Sequence, residues 1–322
     1  MAEQNAEHGA DDKKGTAASF VRDAYAQLRC LEADKALECL DKALRVNFEH
    51  KEALYAINCL SWWLEKIKNL GTMQDYYSKG TYLLSQWKSF YGFLERLDGT
   101  FDTCLYSIRH FVYSLALKNY TKVLEDSVLR HDPELLLQVG RCYKGVGDYE
   151  KALAFLKGAY QFKKEDGQSI SELADVYALL GETKASKGLF REAFYVDPLS
   201  VDLNSLESDM IHRLVESIEK LGFTGNALLE RMGVYGALFG VFSVKRALKL
   251  TEAARLKQSI FLLENEVVTN PEEKNVLVPR LINKYLWLMD YYENEKDAYS
   301  LIEVIKLKIK LIEPSIYERF MR

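Results

Sequence analysis

Proline is scarce in this 322-residue chain, with 5 residues, and glycine reaches only 18. So few breakers favour long helices over many short strands joined by turns. Cysteine is too sparse and too irregular for a framework. The five are Cys30, Cys39, Cys59, Cys104 and Cys142, an odd number with no Cys-x-x-Cys pair, which leaves no zinc or thiol-redox motif. Most lie on apolar helical patterns, where a free thiol acts as a small hydrophobe and a reducing compartment is expected. No apolar run approaches the roughly 20 residues that cross a bilayer. Met1–Gly15 (MAEQNAEHGADDKKG) lacks the apolar core of a secretory signal. A disordered polar tail over 1–16 and a cytoplasmic location are the expectations. Charge of one sign is also missing: 43 Lys and Arg face 47 Asp and Glu, a net −4 shared between balanced halves, so no DNA partner is expected.

Catalytic patterns are absent as well. His8, His50, His110, His131 and His212 fall in no His-Glu-x-x-His helix and no triad context. Gly145-Val146-Gly147 lacks the Gly and Lys that complete a phosphate loop. Asn119-Tyr120-Thr121 is a glycosylation sequon that stays silent inside a cell. No enzyme, cofactor or metal is expected.

What is present is a repeat. From Pro133 to Asp166, Leu136, Val139, Gly140 and Tyr143 share a helical face; the turn Gly147-Asp148-Tyr149 follows, then Ala152, Leu156 and Ala159. The pattern recurs 34 residues on as Ile170, Leu173, Ala174 and Tyr177, the turn Gly181-Glu182-Thr183, then Ser186, Phe190, Ala193 and finally Pro198. Small residues (Gly140 and Ala174, Ala152 and Ser186) suit the closest approach of two antiparallel helices, and bulky ones (Tyr143 and Tyr177, Leu156 and Phe190) fill between hairpins. Glycine at the turn accepts a left-handed backbone. Asp132-Pro133 and Asp197-Pro198 read as an aspartate cap followed by the first helical residue.

These features resemble the tetratricopeptide repeat (TPR) family, whose unit is a 34-residue helix–turn–helix. The resemblance is strong over 133–166 and 167–200. It is looser over 17–64, where Phe20 and Ala24, then Ala36, Leu40 and Ala43, form a first unit and Glu52–Leu64 opens a second. Between 65 and 132 the period slips, with helical patterns over Tyr76–Leu94 and Thr100–Leu117 and a hairpin turn read at 119–121. The family implies an all-α, right-handed α-solenoid of antiparallel helix hairpins over 17–200. Residues 201–322 read as divergent repeats or a helical cap: a helix over Leu203–Leu221 ending at Gly222, a helical stretch over Asn226–Lys257, a break at Asn270-Pro271, and a hairpin of Leu281–Tyr292 and Ala298–Ile312 around Asn294–Asp297.

The resemblance also implies a non-catalytic adaptor that binds a protein or peptide along its concave groove. Carried over by position, the groove takes Arg22, Tyr25 and Arg29, then Tyr55, Cys59 and Trp62. It continues through Glu134, Leu137, Gln138, Arg141 and Lys144, then Gln168, Ser171, Glu172, Asp175 and Ala178. Arg141 and Lys144 should share an exposed helix face. The Lys/Asn set that clamps a C-terminal carboxylate in the chaperone-binding branch is missing. A structural subunit of a homo- or hetero-oligomer is the alternative. The run Gly233–Val244 (GVYGALFGVFSV), with six basic residues against one acidic over 231–257, reads as a buried, glycine-lined helix. An RNA or membrane-surface binder is its less favoured reading.

Overall fold

A computed structural model describes residues 15–293 and 299–320. Nearly all of the tail read over 1–16, and the turn at 294–297, lie outside the described residues. The described residues are helical, with no strand among them. The chain forms two compact units, Met1–Arg130 with Cys142–Asp148, and His131–Arg141 with Tyr149–Arg322. Residue 200 therefore lies inside the second unit.

The first unit contains α1 (Ala17–Arg29), α2 (Ala33–Val46), α3 (Lys51–Lys68), α4 (Tyr76–Ser85), α5 (Trp87–Leu94) and α6 (Asp102–Leu124). Local side chains start these helices: Thr16 Oγ1 accepts from Ser19 N at 3.2 Å, and Asp75 Oδ1 from Ser78 N at 2.7 Å. Val21, Ala24 and Leu28 of α1 and Ala36, Leu40 and Ala43 of α2 are buried in the hairpin between them. Leu31 turns that hairpin in a left-handed conformation (φ 63°), where a glycine would be unstrained. The long α6 packs on α1, α3 and α4. Asn119-Tyr120-Thr121 proves to be part of α6, not a turn. The Asn119 carboxamide donates to Leu115 O at 2.8 Å, which keeps the helix intact. The buried Tyr120 ring covers Gly80 of α4 and bonds Thr81 at 3.1 Å. Trp62, Trp63, Trp87, Phe90 and Phe93 fill the space between α3 and α5 with ring centroids 5.0–6.1 Å apart.

The second unit takes the first part of α7 (Pro133–Val146). It continues with α8 (Tyr149–Phe162), α9 (Gly167–Leu179), α10 (Thr183–Val196), α11 (Asp209–Glu219) and α12 (Gly225–Leu238). It ends with α13 (Leu250–Thr269), α14 (Lys274–Glu293), α15 (Tyr299–Ile312) and α16 (Pro314–Phe320). The repeat register appears as expected. Gly147 and Gly181 are left-handed (φ 86° and 81°), and a Cβ on Gly140 would lie 2.6 Å from Leu156 Cγ. Asp132 Oδ1 accepts from Leu135 N at 2.9 Å, capping α7 behind Pro133. Asp197-Pro198 differs: it opens only a 3-10 turn, Pro198–Ser200, and Asp197 has no side-chain cap bond. Its carbonyl instead lies against the bare Cα face of Gly167.

The core of this unit runs unbroken past residue 200. Ile170, Ala174, Phe190 and Phe194 pack with Ile211, Leu214, Leu228 and Met232. Two long helices read in the sequence are shorter in the structure. The Leu203–Leu221 pattern becomes a 3-10 turn (Leu203–Ser205) followed by α11 from Asp209, because Asp175 holds the amides of Glu207 and Ser208. The stretch 226–257 is interrupted at 239–249. There Gly240 turns left-handed (φ 69°), Phe242 N donates to Gly236 O at 2.8 Å, and the Phe242 ring covers Gly236. Gly233–Gly236 and Phe242 are buried, whereas Phe239, Gly240 and Ser243 are exposed, so the run is a helix end folded back on itself rather than one buried helix.

Candidate functional site

The second-unit positions assigned to the groove do converge. Arg141 on α7 reaches Glu172 on α9, its Nε donating to Oε1 at 2.6 Å. The Gln168 carboxamide, with its oxygen turned toward Arg141, accepts from both terminal nitrogens at 3.0 and 3.2 Å. Gln138 donates to Glu134 at 2.7 Å, and Leu137 is buried. A carboxylate as enclosed as Glu172, with 0% of its side chain exposed, is tolerable only beside such a partner.

This surface is already occupied. The segment 202–208 lies on it: Ser205 Oγ donates to Glu172 Oε1 at 2.6 Å and accepts from Arg141 Nη2 at 3.3 Å, and Asp202 stands 3.9 Å from Arg141. Asp175 accepts the backbone amides of Glu207 at 2.9 Å and Ser208 at 2.8 Å. The exposed charged face read for Arg141 and Lys144 is therefore corrected. The Arg141 side chain is 13% exposed and bonded, and Lys144 is buried within the first unit. Reversing Arg141 to Glu would set it against Glu172, so that change cannot leave stability untouched. Ser171 is buried with its hydroxyl on Gln168 O, and Ala178 is half-buried.

In the first unit, Arg22 and Arg29 are exposed on α1. Tyr25 is buried, its hydroxyl donating to Glu52 at 2.9 Å, and burial pushes its pKa up. Tyr55 is buried against Phe101 at 5.3 Å between centroids; burial first, then the neighbouring Cys59, pushes it up to about 12. Cys59 is buried, and Trp62 is half-buried with Lys66 over its ring at 5.2 Å. Here α6 covers α1 and α3.

Part of the basic segment 231–257 is engaged within the unit. Arg231 is buried, donates to the carbonyls of Ala227 and Asn275 at 2.9 and 2.8 Å, and stacks on Phe223. Lys245 pairs with Asp290 at 2.9 Å and Arg246 with Glu252 at 3.0 Å. No helix among the described residues is long and apolar enough to cross a membrane, and no metal-binding cluster occurs among them.

Sequence reading missed an apolar surface on α15. Ile302, Ile305 and Ile309 are buried against the unit, whereas Val304, Leu307 and Leu311 on the far side, and Leu301 beside the buried stripe, are exposed, Leu311 being 83% exposed. On α13, which ion-pairs to α15 through Glu264 and Lys308 at 2.6 Å, Leu250, Phe261 and Val268 are also exposed. The signal lay in YSLIEVIKLKIKLI, which is apolar around more of the helix than one buried face requires.

No protein-family model and no curated protein matches the chain. Among solved structures it is similar to the P58(IPK) TPR domain, with 18% identity over 92% of this chain and 80% of that one, at a TM-score of 0.25. The class defined by the helices themselves is an all-α protein of helix hairpins.

Proposed function

We propose that this chain is a non-catalytic protein-binding module built on TPR-like hairpins, and that it engages its partner through the outer face of α15. The observation that carries this reading is the stripe of Val304, Leu307 and Leu311, with Leu301 alongside, opposite a face that is already buried. Contiguous apolar surface exposed beyond what the fold consumes marks interaction sites. The groove positions Glu172 and Asp175 are a second surface, open to a partner only if segment 202–208 leaves them.

The test is Val304→Lys with Leu307→Lys. Both sites are exposed, so melting should shift by less than about 0.5 kcal/mol equivalent. Capture of partners from the native cell should fall while the mass in light scattering stays fixed. A fall in mass instead supports the oligomer-subunit reading, with a second copy on the stripe. If partners are lost only with Arg22→Glu and Arg29→Glu, the binding surface belongs on α1. Unchanged mass and capture in every variant would end the proposal.

A further inference from the structure

Within the second unit, α8, α10, α13, α14 and segment 239–249 line a cleft of about 560 Å³ that is open to solvent on one side. That volume is in the range of small-molecule sites. Tyr160, Tyr195, Leu248 and Leu256 form an apolar part of its wall, beside seven charged side chains. Its charges are unevenly committed. Arg246 is paired to Glu252 at 3.0 Å, and Glu252 also accepts Lys249 N at 2.8 Å to cap α13; that backbone bond and the guanidinium hold its carboxyl low despite partial burial. Lys164 and Glu165, one charge of each sign, also line it.

Three groups in the cleft remain. Lys284 places its ammonium 4.9 Å from the Tyr195 ring centroid, with no carboxylate within ion-pair distance among the described residues. Burial, then the nearby Arg280, lowers its pKa, with the more distant Glu230 pulling the other way. Arg255 is exposed and likewise forms no ion pair among the described residues. Glu192 is half-buried, and burial raises its carboxyl, weakening its answer to these cations.

We propose that this cleft binds a small organic anion, a carboxylate or phosphate monoester on a flat apolar body. Lys284 and Arg255 take the anionic oxygens, and the tyrosine and leucine walls take the body. Lys and Arg donate charge-assisted hydrogen bonds to such oxygens, and desolvation at Lys284 strengthens the attraction. The site is independent of the α15 surface.

Isothermal titration of the full chain with phenyl phosphate, benzoate and phenyltrimethylammonium tests it. One of the two anions should bind saturably at one site per chain, and the cation should not. The tighter anion identifies the head group, and either order supports the proposal. Arg255→Ala and Lys284→Met should each weaken binding about tenfold. Arg255 is exposed, so its variant keeps the test valid if Lys284→Met folds poorly. The proposal is overturned if neither anion saturates, if the cation binds equally well, or if Arg255→Ala binds as tightly as the parent.

Discussion

Where helices meet most closely in the first unit, rings fill the space. Trp63 touches Trp62, Trp87 and Phe90, and Tyr120 covers Gly80. In the second unit the corresponding work is divided between small-against-large contacts such as Gly140 on Leu156 and polar bonds sunk into the core. Arg191 meets Asp290, Arg280 meets Glu230, and the Asn283 carboxamide donates to Phe194 O at 2.9 Å. The same hairpin plan is thus closed by bulk in one region and by registered partners in the other. The 34-residue offset itself is confined to 133–200.

Removing bulk should have the largest effect. Trp63→Ala is expected to cost about 3–5 kcal/mol in urea denaturation. Trp63→Phe should cost much less, since the indole nitrogen has no acceptor among the described residues. If the two variants are equally damaging, packing volume is not what closes the first unit.

Next comes the polar closure. Arg280→Met leaves Glu230, whose side chain is 1% exposed, without its guanidinium, and should cost about 3 kcal/mol near neutral pH. Burial already raises the Glu230 carboxyl, with Arg280 pulling it down. A carboxyl raised in the folded state holds protons that the unfolded chain has released. Its contribution to stability is therefore full below the ordinary glutamate range and fades as pH climbs through the raised value. Losing Arg280 raises it further, so the variant's deficit should shrink in mildly acid urea titrations. A deficit independent of pH would mean that Glu230 is not the group left stranded.

The smallest effect is expected where the two regions are most alike. Gly140→Leu and Gly80→Leu each force a side chain toward a neighbour 2.6 Å from the new Cβ, Leu156 in one case and the Tyr120 ring in the other. Overpacking typically costs about 1–3 kcal/mol. A leucine that yields should make the first change milder than the second in thermal melts, and the reverse order would refute the contrast.

The sequence made one kind of feature legible: positions whose residue type answers a local backbone or contact demand. Gly147, Gly181, Gly140 and Asp132 all appear in the structure in the roles their types suggested. Contacts that any sequence could supply were not legible. Asp175 bonds main-chain amides 32 and 33 residues away, and Arg191 finds Asp290 across 99 residues, with no local pattern to announce either. The same blindness hid the cover over Glu172 and Asp175, whose partners include Ser205, Glu207 and Ser208 of the chain itself.

The Asp175 carboxylate also sets how this surface behaves in deuterated water. Segment 202–208 is mostly irregular, and irregular backbone ordinarily exchanges its amide protons quickly. The protons of Glu207 and Ser208 are instead gripped by a side chain that is 0% exposed. They can exchange only when the clasp opens, so their rates report the free energy of that opening directly. Two slow amides in a loop would therefore mark, without any ligand, how often the buried face of α9 is uncovered.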